Sequence, residues 1–175
     1  MATKIGLVYG SSTGNTAGVA ERLATAFRAA RPDSVEVHEL SAAGLGTLTS
    51  YDYLLVGCPT WNTGELQEDW KTAFDKLDGV DLSGRKIAIF GLGDQKGYAD
   101  NFQDAIGILA DKFMDRGAEL CGFTDAEDGT FEFTASRGTI DGFFLGLAID
   151  EDNQKDQTDE RIKRWVPGVL AEFGL

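Results

Sequence analysis

The chain has 175 residues, of which 42% are apolar, and a formal net charge of −13 at pH 7. This length and composition are typical of a soluble globular protein, so we expect residues 1–175 to form a single domain. The acidic excess argues against binding to nucleic acid or to anionic membrane surfaces, and it favours a basic protein partner. No apolar run is long enough to span a bilayer and no signal-peptide pattern follows Met1, so we expect a cytoplasmic protein.

The first predicted strand, near residues 4–10, leads directly into a hydroxyl-rich turn that opens a helix. The first backbone N–H groups of a helix have no partners within it, and the helix dipole leaves a positive potential there. Gly14 permits a close backbone approach, and neighbouring hydroxyls can donate further hydrogen bonds. This turn therefore predicts a phosphate site made without Lys or Arg. The alternative is an ordinary turn in which Ser and Thr only cap the helix.

The kind of phosphate ligand follows from what the turn lacks. A nucleotide-hydrolysing P-loop has a Lys followed by Ser or Thr after its second glycine, and Asn15 and Thr16 stand there instead. Because no cation is available to neutralise a triphosphate, a monophosphate is expected.

Apolar runs alternate with helical periodicities along the rest of the chain, which is typical of a parallel sheet covered by helices on both faces. We predict six strands, near residues 4–10, 34–40, 53–58, 85–91, 118–124 and 143–149. Four helices each have one apolar stripe. The stripes comprise Val19, Leu23, Phe27 and Ala30; Leu66, Trp70, Ala73, Phe74 and Leu77; Phe102, Ala105, Ile106, Leu109 and Phe113; and Ile162, Trp165, Val166, Val169, Leu170 and Phe173.

Three local signals mark the ends and the interior of the last two helices. Gly117 is predicted to be a left-handed C-cap of the third helix, and Thr158 an N-cap of the last. Pro167 should kink the last helix because it removes a backbone donor.

A polar segment near residues 125–142, with phenylalanines interleaved, is an excursion that either interrupts or flanks the last strand. It is either a functional loop or a decorated edge of the sheet.

The cysteines and the histidine carry no recognisable chemistry. Cys58 and Cys121 lie in separate strand-like segments, which predicts reduced core thiols rather than a disulfide or a metal site. His38 is the only histidine, so a histidine cluster or a catalytic triad is excluded.

In an open sheet of this kind, ligands bind outside the carboxyl ends of the strands. The loops after the third and fourth predicted strands each contain one aromatic residue, Trp61 and Tyr98, among small and polar residues. Either ring alone is explained as a cover for the edge of the sheet. Together, beside a phosphate turn, the two rings are well placed to sandwich a planar heterocycle.

Four motifs resemble those of the long-chain flavodoxin family. They are residues 10–16 (GSSTGNT), 57–67 (GCPTWNTGELQ), 91–104 (GLGDQKGYADNFQD) and 146–153 (GLAIDEDN). The resemblance extends over essentially the whole chain. It departs from the common pattern at Ser11, Asn15, Thr63 and Pro167, which bears on cofactor affinity and potential rather than on cofactor identity.

The resemblance implies an α/β fold, with three layers and a doubly wound, five-stranded parallel sheet of order 2-1-3-4-5, and an insertion in the fifth strand. It also implies FMN, bound without a covalent link. Residues that match the family's cofactor loops are, for the phosphate, Ser11, Ser12, Thr13, Gly14, Asn15 and Thr16; for one side of the ring, Thr60, Trp61, Asn62, Thr63 and Gly64; for the other side, Leu92, Gly93, Asp94, Tyr98 and Asn101; and at the margin, Gln103 and Asp150. Asp94 would accept a hydrogen bond from the pyrimidine N3–H.

The function implied by the resemblance is that of a low-potential, one-electron carrier, not an enzyme. The FMN would pass between quinone, semiquinone and hydroquinone states, tuned by Trp61, Tyr98 and a flip of the Asn62–Thr63 peptide. Neighbouring acidic residues would lower the potential of the second step. The expected partners are redox proteins with basic faces, of the ferredoxin-NADP reductase, photosystem I, nitrogenase or pyruvate oxidoreductase kind, and the carrier is expected to be a monomer.

Three alternative functions would make different demands on this sequence. An FMN-dependent NAD(P)H:quinone or nitro-compound reductase would need one open ring face for hydride transfer. A phospho-receiver module would need acidic residues at the end of the first strand, where residues 10–12 are Gly-Ser-Ser. A scaffold role is disfavoured by three loops of ligand-binding composition.

Overall fold

The computed structural model describes residues 3–175; Met1 and Ala2 lie outside the described residues. Its strands are β1 (Ile5–Tyr9), β2 (Val35–Glu39), β3 (Tyr53–Trp61), β4 (Glu65–Leu66), β5 (Lys86–Leu92), β6 (Glu119–Cys121), β7 (Thr124–Asp125), β8 (Thr139–Ile140), β9 (Phe143–Phe144) and β10 (Leu147–Ile149). Its α-helices are α1 (Asn15–Ala30), α2 (Leu40–Ala43), α3 (Glu68–Ala73), α4 (Asp104–Asp115) and α5 (Thr158–Phe173).

The main sheet is parallel and has the order β2-β1-β3-β5, and β6 and β10 lie end to end along the outer edge of β5. β6 pairs with the first half of β5 and β10 with its second half, so together they make the fifth strand. The predicted doubly wound order, with an insertion in the fifth strand, is confirmed.

Successive side chains of each strand lie on opposite faces of the sheet, so the core is divided between the two faces. Leu7 and Leu55 pack with α1 and α5 on one face, whereas Val8 and Val56 pack with α3 and α4 on the other. Because both faces are covered, the strands read as continuous apolar runs rather than as alternating ones.

The insertion forms a three-stranded antiparallel sheet, β7-β9-β8, beside the main sheet. The predicted strand near 143–149 is therefore wrong as one element: β9 belongs to the insertion and only β10 to the main sheet. Gly146 separates them, and a Cβ there would overlap the Ile89 carbonyl oxygen. The chain passes so close to β5 at this point that only glycine fits.

Two predicted helical stripes differ in extent from the structure. Leu66 lies in β4, and α3 ends at Ala73 before a 3₁₀ turn, Asp75–Gly79, that carries Leu77. Phe102 precedes α4 and packs instead against the aromatic rings of the insertion. The spacing of Phe102 thus fits α4, but its packing against the distant insertion determines where it lies.

The helix ends also differ in detail from the predictions. Ala30, at the last position of α1, is exposed. Gly117 has φ +95°, which confirms the left-handed turn after α4. Thr158 is the first residue of α5 rather than its cap, and its hydroxyl donates to Glu151. α5 continues through Pro167 as one helix.

Candidate functional site

A cleft of about 410 Å³ opens at the carboxyl ends of β1, β3 and β5. Four segments of the chain contribute to it: the turn after β1, the end of β3, the loop after β5, and the segment after β10. Its lining residues are Thr13, Asn15, Thr16, Pro59, Thr60, Trp61, Asn62, Leu92, Gly93, Asp94, Tyr98, Glu151 and Asp152. The two aromatic loops and the hydroxyl-rich turn therefore meet, as the sequence predicts.

The turn after β1 presents free backbone donors. Ser11 Oγ accepts from the N–H groups of Gly14 (3.2 Å) and Ala17 (3.4 Å), which fastens the turn to the first turn of α1. Within residues 3–175, no protein group accepts from four other N–H groups of this turn, those of Ser12, Thr13, Asn15 and Thr16. Four unpartnered donors at the positive end of a 16-residue helix are suited to an anion.

Gly14 makes this turn possible by its conformation. Its φ is +91°, and a Cβ there would meet no atom within 4 Å. The glycine is therefore required for left-handed backbone rather than for a close neighbour within the protein.

Gln67 supports the turn from behind, a role that the sequence analysis missed. Its Nε2 donates to Ser12 Oγ (3.1 Å), and a Cβ on Gly10 would overlap its Oε1. Gln67 is buried, and its Oε1 accepts from the Asp69 N–H at the start of α3. Its position in the sequence, between Leu66 and Trp70 of the predicted apolar stripe, gave no signal of this contact.

The first wall of the cleft, residues 59–66, is a tight hairpin. Thr60 pairs with Leu66 and Trp61 with Glu65 across β3 and β4. Asn62 at the tip has φ +48°, and its Nδ2 donates to Glu65 Oε2 (2.9 Å). The hairpin thus positions Trp61 mainly through contacts between residues close in sequence.

The second wall, residues 92–101, is a loop organised around the Asp94 carboxylate. Asp94 Oδ1 accepts from the N–H groups of Lys96 (3.0 Å) and Gly97 (2.8 Å) and from Asn153 Nδ2 (2.8 Å). The Gly97 hydrogen bond lowers the pKa of Asp94 below its ordinary value, so the carboxylate remains ionised. Tyr98 follows with its side chain 48% exposed.

Two predicted margin residues are buried beneath the cleft and do not line it. Gln103 donates from Nε2 to the Ile149 carbonyl (3.1 Å). Asp150 is fully buried and accepts from Gln95, Asp152 and Asn153. Both residues shape the second wall from behind.

Three further predicted residues lie at the edge of the site. Asn101 Nδ2 donates to Asp104 Oδ2 (3.3 Å), and Gly64 approaches the same carboxylate from the first wall. Thr63 is exposed at the hairpin tip. Asp104 thus lies between the tip of the first wall and the end of the second.

The cleft is acidic, since three carboxylates line it and no Lys or Arg does. Glu151 and Asp152, which were not among the predicted site residues, complete it. Arg22 Nη1 pairs with Glu151 at 2.7 Å, whereas partial burial and then the neighbouring acidic charges, Asp94 first, raise the pKa of Asp152. Negative charge therefore accumulates at the mouth of the cleft.

Other chemistry is not apparent in the described part of the chain. Among residues 3–175, no cluster of three or more His, Cys, Asp or Glu side chains could hold a metal ion. Across the same residues, no helix has both the length and the apolar composition needed to cross a membrane. Cys58 is a buried free thiol whose pKa burial raises to about 12.

Comparison with known proteins agrees with this geometry. The family model described as Flavodoxin matches residues 7–165. A flavodoxin from Nostoc sp. is 51% identical over the full length of both chains, and one from Synechococcus elongatus is 47% identical over 98% of this chain and 99% of its own. A flavodoxin from Fusobacterium nucleatum, solved with flavin mononucleotide bound, superposes with a TM-score of 0.90 at 27% identity, covering 98% of this chain and 99% of that one. On these grounds, the chain belongs to the flavodoxin family.

Proposed function

We propose that the cleft binds FMN without a covalent link and that the protein carries single electrons between redox proteins. The observation that carries this proposal is the meeting of unpartnered helix N–H groups and two aromatic side chains in one cleft. When bound, FMN supplies reversible one-electron chemistry. We further propose that residues 1–175 act as one monomeric domain.

The turn after β1 would bind the phosphate. Ser12, Thr13, Asn15 and Thr16 offer free N–H groups there, and the hydroxyls can add further donors. Because the cleft has no Lys or Arg, a group with the charge of a monophosphate suits it better than a longer phosphate chain.

The two walls would hold the ring. Trp61 and Tyr98 both line the cleft, and each stacked aromatic contributes about 0.5–1.5 kcal/mol beyond the area it buries. Thr60, Leu92 and Gly93 complete the walls, and the ionised Asp94 can accept from a ring N–H. If both ring faces are covered, a nicotinamide has no face on which to stack, so the family's carrier role is favoured over an NAD(P)H reductase.

Two features would tune the potential. Within residues 3–175, no group bonds to the Asn62 carbonyl or the Thr63 N–H, so this peptide can rotate to present its carbonyl to the cleft. Asp94, Glu151 and Asp152 oppose added negative charge. One like charge at about 10 Å and an effective dielectric of about 20 costs roughly 1.7 kcal/mol, on the order of 70 mV for one electron.

The acidic mouth of the cleft suits partners with basic faces, such as the redox proteins implied by the resemblance. Weak, small interfaces are usual for such electron-transfer encounters. We expect the association rate with a basic redox partner to fall as ionic strength rises. An electron-transfer rate that is independent of salt would contradict the acidic docking surface.

An anaerobic reductive titration of the FMN-reconstituted protein tests the proposal. We expect tight, stoichiometric FMN uptake and two one-electron steps at separate potentials. Steady oxidation of NAD(P)H by the purified protein would favour the reductase alternative. A colourless protein that takes up no FMN would contradict the proposal.

A further inference from the structure

The insertion, residues 124–144, is bonded to the chain on both sides of Tyr98. Before Tyr98, the Glu132 N–H donates to Gln95 Oε1 (2.7 Å). After it, the N–H groups of Thr134 (2.9 Å) and Ala135 (3.2 Å) both donate to the Ala99 carbonyl. The insertion therefore holds the backbone that carries this ring at two points.

Further contacts extend the attachment along the second wall. The Thr134 hydroxyl donates to Asp100, and the Arg137 N–H donates to Asp104 Oδ1 (2.7 Å). The Phe102 ring packs against Phe131 and Phe133 of the insertion, with centroids 5.1 and 5.4 Å apart. All of these contacts join residues more than 25 positions apart.

Gln95 is the connection between the insertion and the end of β10. It is 3% exposed, its Nε2 donates to Asp150 Oδ2 (2.7 Å), and its Oε1 accepts from Glu132. A carboxylate can only accept and a backbone N–H can only donate, so these two neighbours determine the orientation of the amide. Reversing the amide would lose both bonds.

The Tyr98 ring has no comparable support of its own. It is half exposed, and its hydroxyl has no hydrogen-bond partner among the described residues. The position of the ring is therefore determined by its backbone, which bonds to Asp94 and Asn101 within the loop and is held on both sides by the insertion.

We propose that Gln95 is a positioning residue, which couples the insertion to the Tyr98 loop and holds that loop ready for the FMN ring before the cofactor binds. This inference rests on the proposed function for its ligand. It assigns the insertion a role inside the protein, in preorganising one wall of the cleft, since a preorganised loop loses less freedom on binding.

The test compares Gln95→Met with Gln154→Met in the full-length apoprotein. Both changes remove an amide and keep the length of the side chain. Gln154 Nε2 donates to the Thr130 carbonyl of the insertion (2.9 Å) and its Oε1 accepts from Arg161, but within residues 3–175 its side chain makes no hydrogen bond to residues 94–101. We expect Gln95→Met to raise the Kd for FMN about tenfold and Gln154→Met to change it less than about twofold. Amide hydrogen exchange of residues 95–101 in the apoprotein should accelerate only in Gln95→Met.

The same measurements distinguish a positioning role of Gln95 from a purely stabilising one. If Gln95→Met lowers the free energy of unfolding but leaves both the Kd and the exchange of residues 95–101 unchanged, the positioning role is wrong. Thr134→Val, at an exposed position, supplies a milder variant that should shift both readouts in the same direction if Gln95→Met does not fold. Failure of the parent protein to bind FMN would instead overturn the proposed function, so the two failures are distinguishable.

Discussion

The two walls of the cleft are built in different ways. The first wall, which carries Trp61, is a hairpin whose pairs are four to six residues apart. The second wall, which carries Tyr98, depends on Asp150, Asn153 and the insertion, which lie more than 30 positions away. The first wall thus depends mainly on local pairs, with one distant hydrogen bond from the Ala105 N–H to Thr60 Oγ1 (3.1 Å), whereas the second wall depends on several contacts with distant segments.

The largest expected effect comes from removing the buried centre of the second wall. Asp150→Ala would leave the two buried donors of Gln95, and the partly buried N–H groups of Asp152 and Asn153, without an acceptor. We expect the free energy of unfolding of the apoprotein, measured in urea, to fall by about 3 kcal/mol or more. Glu65→Ala, at the exposed hairpin of the first wall, should remain close to the parent. Equal losses for the two variants would contradict the distinction between the walls.

A second prediction concerns the contact of the first wall with Asp104. Gly64 has φ +82°, and a Cβ there would overlap the Asp104 carboxylate, whereas Gly14 has φ +91° and open space. We expect Gly64→Ala to cost about 2–3 kcal/mol in urea unfolding and Gly14→Ala about 1 kcal/mol. The difference between the two losses of stability measures the close approach of Gly64 to Asp104. The two losses should be equal if the hairpin moves independently of Asp104.

A third prediction compares the two aromatic rings directly. Trp61→Ala and Tyr98→Ala should each weaken FMN binding by about tenfold or more, with the larger effect for the larger indole. Fluorescence titration of the apoproteins gives the Kd values. Since Tyr98 is 48% exposed, its removal should leave the stability of the apoprotein nearly unchanged. An unchanged Kd for either variant would exclude that ring from the cofactor site.

The smallest expected effect is a pH dependence of the second wall. The Gly97 hydrogen bond lowers the pKa of Asp94 in the folded state below its ordinary value near 3.8. The folded state therefore favours the ionised form, and its contribution to stability is present above that value and is lost as the pH falls through the lowered pKa. Because Asp94 is partly exposed, the contribution should be below about 1 kcal/mol.

Unfolding of the parent and of Asp94→Asn between pH 3 and pH 6 measures this contribution by difference, since the other carboxylates titrate in both proteins. Stability of the parent should fall more than that of the variant toward pH 3. A difference that does not change with pH would show that Asp94 stabilises its loop without titrating.

Patterns with a short period were predicted well from the sequence, and contacts between distant residues were not. The strands β1, β2, β3 and β5 and the stripe of α1 through Phe27 follow from local spacing. The spacing of Leu66 and Phe102 fits helices, but Leu66 pairs with Thr60 in the hairpin of the first wall, and Phe102 packs against the distant insertion. Periodicity reports which residues are apolar but not which surface they will meet.

Prediction of the cleft residues from the sequence has the same limit. Ser11, Trp61 and Asp94 lie in short motifs that can be recognised in isolation. Gln67 and Gln95 act through single amides bonded to residues 55 positions away, and no local pattern distinguishes such a glutamine from an exposed one.

The sequence by itself determined the alternation of strands and helices, the turn that leaves helix N–H groups free, and the two aromatic loops. Each of these features depends on residues that are close together in the sequence. Only the tertiary structure decided that the insertion in the fifth strand forms a small second sheet, that Asp150 and Gln103 are buried behind the cleft, and that the insertion is bonded to the Tyr98 loop. These outcomes depend on hydrogen bonds and close approaches between segments that meet only after the main sheet has formed.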